Sequence, residues 1–455
     1  MPVPGPSASS PSAPESSGSE PSTAGGPARR ADRLRRAAAE SVGGLPRAFW
    51  WLWTSTLVNR LGGFVVPFLA LYLTVERGYS ASYAGLVASL FGLGAGVGAI
   101  IGGVLTDRVG RRPTLLTAQL LTAASTAALG FAHGQLVIAV VALLVGLSSN
   151  ASRPAVAAVI ADVVPAADRV RAYALNYWAV NIGFGVSAAV AGLVAEHGYL
   201  TLFVADALST LLCAVVVFGR IPESRPAEGP ATASSEPAER RVGLRTVFRD
   251  RGFMLLVGVT FLLALVYQQG STTLAVGMSE AGLSTARYGL VIGLNGLLIV
   301  VLQIPVTRLV KHHDRTRLLV AGALLTGWGF GLTAFAGASA LCYAASVAVW
   351  TVGEIVQAPA SMGLVAELSP AGARGRYQGV FSLAWSGASF LGPAAGGFLL
   401  QHTGGRTVWG ACAVLGTLAA IGYLALGRVA RPVSPAAAAP AATPAGAPAP
   451  AGPGA

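Results

Sequence analysis

Charge is what this 455-residue chain has least of: Asp, Glu, Lys and Arg together make up 11% of it, against about 25% in a soluble globular protein. Lysine is almost missing, with Lys311 the only one. Too few charges remain to cover a water-facing surface, so a soluble domain is excluded. The three cysteines, Cys213, Cys342 and Cys412, lie inside apolar runs. They have neither metal-ligand nor disulfide-framework spacing and read as small buried hydrophobes. The sequence has no Ser/His/Asp constellation, no phosphate loop followed by lysine and no His/Cys/carboxylate cluster. That points away from an enzyme, from ATP as the energy source, and from any metal or cofactor. The first 45 residues lack the apolar stretch of a cleaved signal peptide.

Apolar residues fill the space that charge leaves, at 53% of the chain. They fall into runs of about 20, the length that crosses a bilayer as a helix. Twelve spans are predicted, at 49–75, 82–105, 114–132, 136–159, 172–195, 199–219, 252–277, 286–310, 317–336, 340–365, 377–400 and 407–427. The fold class is therefore an all-α integral membrane protein with twelve transmembrane helices. Residues 1–45, rich in Pro, Ser, Gly and Ala, are expected to be a disordered tail whose arginines lie along the anionic inner leaflet. Residues 46–219 form one six-span half, 220–251 a polar linker with seven arginines, 252–428 a second half, and 429–455 a disordered Ala/Pro tail.

The net charge of +12 is not a nucleic-acid footprint, because the cations cluster at the ends of spans. Loops and ends on the side of the N-terminus hold nearly all of them, whereas the other side has only Arg77, Arg287 and Arg406. The positive-inside rule then puts both termini and the linker in the cytoplasm. The expected setting is the cell membrane, multi-pass, with the chain a monomer and the bilayer as its partner.

The halves repeat. A shift of 204 takes Phe49 to Phe253, Glu76 to Glu280, Gly78 to Gly282, Ser80 to Ser284 and Gly85 to Gly289. A shift of 205 takes Pro154 to Pro359, Asp162 to Glu367, Arg169 to Arg374, Gly192 to Gly397 and His197 to His402. So constant an offset indicates duplication of a six-span unit. Two parallel repeats about an axis along the membrane normal are a transporter architecture.

Between the second and third spans stands Gly103-Val-Leu-Thr-Asp107-Arg108-Val-Gly110-Arg111-Arg112. Together with the twelve spans and the repeat, this hairpin resembles the signature of the major facilitator superfamily. Asn59-Arg60-Leu-Gly-Gly with Pro67, Gly353-Glu354 with Pro359, and Gly392-Pro393-Ala-Ala-Gly396-Gly397 look like its bacterial drug–proton antiporter branch. The pattern is broken in two places. Ala142 precedes Gly146 where many antiporters carry arginine, and Gly183-Phe-Gly185 in the fifth span lacks the usual proline. The resemblance implies a major facilitator fold of two six-helix pseudo-repeats and a secondary transporter working by alternating access. It implies export of a small amphipathic or hydrophobic compound in exchange for protons. The alternative is proton-coupled uptake or facilitated passage of a small nutrient. A non-transporting sensor on the same fold has no attached signalling domain to support it.

Within that frame Gly103, Asp107, Arg108, Gly110, Arg111 and Arg112 are expected to form a conformational latch. The resemblance implies that Asp107 docks at the N-terminus of the eleventh span, where the helix dipole favours a carboxylate. The basic residues would pair with carboxylates such as Asp162 or with anionic lipid, or would serve only as topology signals. The second half has no counterpart of Asp107. Arg60 and Glu354 fall near mid-depth of the first and tenth spans, where a charge is expensive and faces a cavity or a partner. Asn59, Arg60, Arg153 and Glu354 are the candidates for substrate binding and proton coupling. Glu354 is the expected proton carrier, and a fixed structural ion pair is the competing reading. Arg153 either faces the cavity or reaches the cytoplasmic interface. Asp206 is expected to make a structural hydrogen bond. Asn181, Asn295, Gln268 and Gln303 either bind substrate or link helices, and Trp328, Trp350 and Trp385 either line a pocket or pack. The run Gly92-Leu-Gly94-Ala-Gly96-Val-Gly98 reads as a close helix–helix contact.

Overall fold

The computed structural model of the protein describes residues 43–223, 244–310, 312–370 and 373–429. The expected tails and most of the expected linker lie outside these residues. The chain divides at Leu45/Pro46 into two units, and of the first only the turn at 43–45 is described. Everything below concerns the second unit.

Among the described residues every regular element is a helix. Twelve helices are long and apolar enough to cross a membrane: Arg47–Glu76, Ala81–Arg108, Arg111–Phe131, Gln135–Val163, Ala166–Ala195, Tyr199–Arg220, Arg251–Glu280, Thr285–Val310, Arg315–Phe335, Ala340–Leu368, Arg374–Thr403 and Gly405–Arg428. Called here the first to twelfth spans, they have lengths that suit an apolar layer about 30 Å thick. Lipid offers the backbone no hydrogen bonds, so each span satisfies its own. The outer surface is correspondingly apolar, with Leu136, Val170 and Leu341 about four-fifths exposed.

The helices run further into the loops than hydropathy predicts. Asp107 and Arg108 form the last turn of the second span and Arg111 opens the third, leaving Val109 and Gly110 as the whole connection. Gly110 has φ of 114°, a conformation that favours glycine. Hydropathy also hides two interruptions. The first span stops at Leu61 and resumes at Val65, and the seventh stops at Gln268 and resumes at Thr273. The short helix Leu244–Arg249 lies in the stretch expected to be linker.

Glycine spacing decides the packing of the second span. Gly94, Gly98 and Gly102 recur every four residues and so share one face. A Cβ at any of them would overlap the fourth-span backbone, at Leu143, Leu147 and Ala151 respectively. Gly85 and Gly92 lie on another face, where a Cβ would overlap Pro393 O and Ser389 O of the eleventh span. The glycine run is thus a two-sided helix contact.

The sequence repeat is also a repeat of contacts. A Cβ on Gly85 would come within 3.1 Å of Gly397 Cα, and one on Gly289 within 2.9 Å of Gly192 Cα. These are the same pair exchanged between the halves. Arg111 pairs with Asp162 at 2.9 Å, and its counterpart Arg315 pairs with Glu367.

Candidate functional site

The two halves meet at one end of the bundle and part at the other. At the end carrying Ser80 and Glu280, the Tyr288 hydroxyl donates to Pro67 O at 3.1 Å. Its ring meets Phe68 edge-on, with centroids 5.3 Å apart. Nearby, Ser82 N–H donates to Gln401 Oε1 at 3.0 Å, and Ala394 N–H, just after the proline in the eleventh span, donates to Ser89 Oγ at 2.8 Å. Further along the same faces the contact fades. A Cβ at Gly96 would reach Ser386 only at 3.4 Å, and one at Gly103, Gly375 or Gly379 would meet nothing within 4 Å. Between the halves lies a cavity of about 820 Å³, within the size of ordinary ligand pockets. Gln378, Ser382 and Met362 extend its wall towards the Asp107 end. The structure is therefore closed at the Ser80 end and parted at the Asp107 end.

Of the four expected binding residues, Asn59, Arg60 and Arg153 line this cavity. Asn59 Nδ2 donates to Thr210 Oγ1 at 3.3 Å. Arg60 sits on the last turn before the interruption in the first span, and Gly183 of the fifth span makes room for its stem. Asp206 reaches the interruption from the sixth span. Its Oδ2 accepts the Val65 N–H at 3.1 Å, while the Phe64 N–H donates to Gly62 O at 2.8 Å. A broken helix exposes N–H groups that lipid cannot satisfy, and Asp206 caps one of them from outside the helix. Nothing in the sequence links Asp206 to Val65, 141 positions away.

Glu354 stands elsewhere. The expectation that it shares the cavity wall with Arg60 is not met, because the tenth span turns it towards the eighth. There Asn295 Nδ2 donates to its Oε2 at 3.2 Å and to Thr351 Oγ1 at 3.0 Å. Among the described residues no cation pairs with it, so the fixed ion pair is also not seen. Tyr267 lies within the field of its charge. The same Tyr267 stacks on Trp385 with centroids 5.9 Å apart, and Trp385 lines the cavity. The charge of Glu354 thus acts on a ring that stacks against the wall. Asn181 and Gln268 line the cavity too, whereas Gln303 bonds Thr307 within its own helix. Trp350 is buried against Phe330, and Trp328 is exposed on the outer surface.

At the hairpin, Arg111 is held by Asp162 and by Thr106 O. Arg112 reaches Phe218 O and its ring. Asp107 is exposed and makes no hydrogen bond or ion pair among the described residues. Sequence reasoning missed Glu223. Its two carboxylate oxygens accept Arg111 N–H at 3.0 Å and Arg112 N–H at 3.2 Å, capping the third span. The available signal was a carboxylate placed just after the sixth span, on the side where the third begins.

The chain matches the family model described as Major Facilitator Superfamily over residues 52–386, with a further match over 278–453. It is similar to the MFS-type transporter YttB of Bacillus subtilis, 30% identical over 80% of this chain and 91% of that one. It is also similar to the multidrug resistance protein MdtH of Aeromonas salmonicida, 27% identical over 81% and 92%. Among solved structures, the nucleoside transporter NupG superposes with a TM-score of 0.72 at 13% identity, covering 84% of this chain and all of its own. A D-xylose–proton symporter superposes with 0.68 at 18% identity, covering 82% and 97%. At such identities the structural likenesses show the fold alone.

Proposed function

The chain belongs to the major facilitator superfamily, and from that premise we propose that it exports small amphipathic compounds in exchange for protons. It is a secondary transporter and an integral membrane protein; export, the proton and the substrate class are the proposed parts. The basic loops support a setting in the cell membrane with the Asp107 end in the cytoplasm. The cavity is then parted towards the cytoplasm, the side from which an exporter loads. Similarity to multidrug resistance proteins supports efflux over uptake.

The observation that carries the proton is Glu354. It is a carboxyl group within the apolar layer whose hydrogen-bond partner is a neutral amide. Among the described residues no cation pairs with it, so it is free to take up a proton on one side and release it on the other. Its charge acts on Tyr267, which stacks on the cavity-lining Trp385, and this is the proposed route of coupling to an occupied cavity. Glu354→Gln keeps the bond to Asn295 but cannot carry a proton. In proteoliposomes with an imposed pH gradient, the variant should lose gradient-driven flux by at least tenfold and retain exchange of substrate at equal pH. Full gradient-driven flux would remove Glu354 from the mechanism, and accumulation in the opposite sense would replace export by uptake.

The hairpin is proposed as the latch. Asp107 sits at the C-terminus of its helix, where the dipole disfavours a carboxylate. Docking on the N-terminus of the eleventh span would relieve that and close the cytoplasmic end. The parted structure is the state with the latch undone.

A further inference from the structure

Three charged side chains line the cavity, Arg60, Arg153 and Asp206, all from the N-terminal half. The one anion, Asp206, accepts the Val65 N–H at the interruption in the first span, and its charge reaches Arg60 without forming an ion pair among the described residues. The two cations are not committed. Among the described residues neither guanidinium makes a hydrogen bond or an ion pair. Each carries five N–H donors, and Arg60 lies within the fields of both Arg153 and Asp206. Arg60 is half-buried and Arg153 is exposed to the cavity, and Asp206 offsets only part of their charge, reaching Arg60 without pairing with either arginine among the described residues; the surplus positive charge and unused N–H donors favour an anion arriving from outside. Glu354 cannot be that anion, since it lies off the wall on Asn295. The rest of the wall is neutral: the amides of Asn181 and Gln268 and the rings of Phe184, Phe381 and Trp385.

We infer that Arg60 and Arg153 together hold the anionic head of the transported compound, and that the substrate is an amphipathic organic anion. A carboxylate is the head that a guanidinium matches with two parallel hydrogen bonds. The apolar body then lies against Trp385 and Phe381 of the other half, so one ligand touches both halves that must move. Lipophilic cations are poor substrates for this wall. The inference rests on the transport reading above and narrows its substrate class.

The test uses the purified full-length chain and three fluorescent probes: pyrenebutyrate, its methyl ester, and ethidium. The acid should bind at least tenfold more tightly than either of the others. Arg60→Gln and Arg153→Gln should each weaken the acid at least tenfold and leave the ester unchanged, with Arg60→Lys in between. Equal affinity for acid and ester, or tighter binding of ethidium, would overturn the inference in the unmodified protein, whatever the variants do. Acid affinity unchanged in both Gln variants would overturn it as well. Displacement of the acid by millimolar inorganic phosphate as readily as by unlabelled carboxylate would reassign the arginines to a small inorganic anion. Tight acid binding without pH-driven flux in proteoliposomes would sink the transport reading and leave the anion site standing. Flux of ethidium without acid binding would do the reverse.

Discussion

Gly85 and Gly289 close the Ser80 end, and a single methyl group at either should open it. A Cβ on Gly85 would overlap Pro393 O and stand 3.1 Å from Gly397 Cα; one on Gly289 would meet Ala188 O at 2.5 Å and Gly192 Cα at 2.9 Å. All four obstacles are backbone atoms, which cannot swing aside as a side chain can. Forcing an extra methyl group into such a contact costs about 1–3 kcal/mol. The contact joins the two halves, so much of that cost falls on the closed end rather than on the folding of either half. Converted to a population, it is a shift of about 5–150-fold away from closure. The reporter is Thr272→Cys, at a cavity-lining position only 3% exposed in this state, in a chain whose three native cysteines have been replaced. A membrane-impermeant maleimide applied from the Ser80 side should label it at least about fivefold faster after Gly85→Ala or Gly289→Ala, in keeping with that range. Gly258→Ala is the control, since a Cβ there meets nothing within 4 Å and the residue is exposed. Labelling at the parental rate in both variants, with normal yield and elution, would refute the assignment of these glycines to the gate.

Asp206→Ala leaves the buried Val65 N–H at the first-span interruption without its acceptor and should cost about 1–3 kcal/mol. Thermal unfolding in detergent reads this loss, and Asp206→Asn, which keeps an oxygen for Val65, should recover at least half of it. Asp107→Asn should lower flux several-fold and leave equilibrium substrate binding within about twofold, because Asp107 lies outside the cavity wall; weakened binding instead would move it into the pocket.

Much of this was legible in the sequence for a physical reason. A span must be long and apolar, and a duplicated span must keep its turn and contact glycines. Gly78 and Gly282 show it, with φ of 65° and 78° at equivalent turns. The interruption after Leu61 was not legible, because Gly62, Gly63 and Phe64 do not break the hydropathy and the group that permits the break, Asp206, comes from another helix. Nor could the facing of Glu354 be read. A helix residue turns by about 100° from its neighbour, and one chain's pattern does not fix that rotation where the helix is apolar all round. Arg60 lines the cavity and Glu354 does not, although both satisfied the same argument from depth. Depth comes from counting residues, whereas facing comes from packing partners that hydropathy leaves unnamed.

The repeat is kept where the machine must be symmetric and broken where it must not be. The gate glycines occur twice, as Gly85 with Gly397 and Gly289 with Gly192. So do the ion pairs of Arg111 with Asp162 and Arg315 with Glu367. Closing a cleft between two equal halves requires two equal seams. The charges within the membrane follow the opposite rule. The shifts that align the halves carry Arg60 to Ala264 and Arg153 to Ala358, and carry Glu354 back to Ser149. Duplicated arginines would put four cations around one cavity, with repulsion that no single anionic head could offset. A duplicated Glu354 would add a carboxyl group beside Asp206 on the half that holds the arginines, where it could pair with them and fill the place of the ligand's head. One half therefore carries both arginines, with Asp206 bonded at the first-span interruption, and the other half carries Glu354.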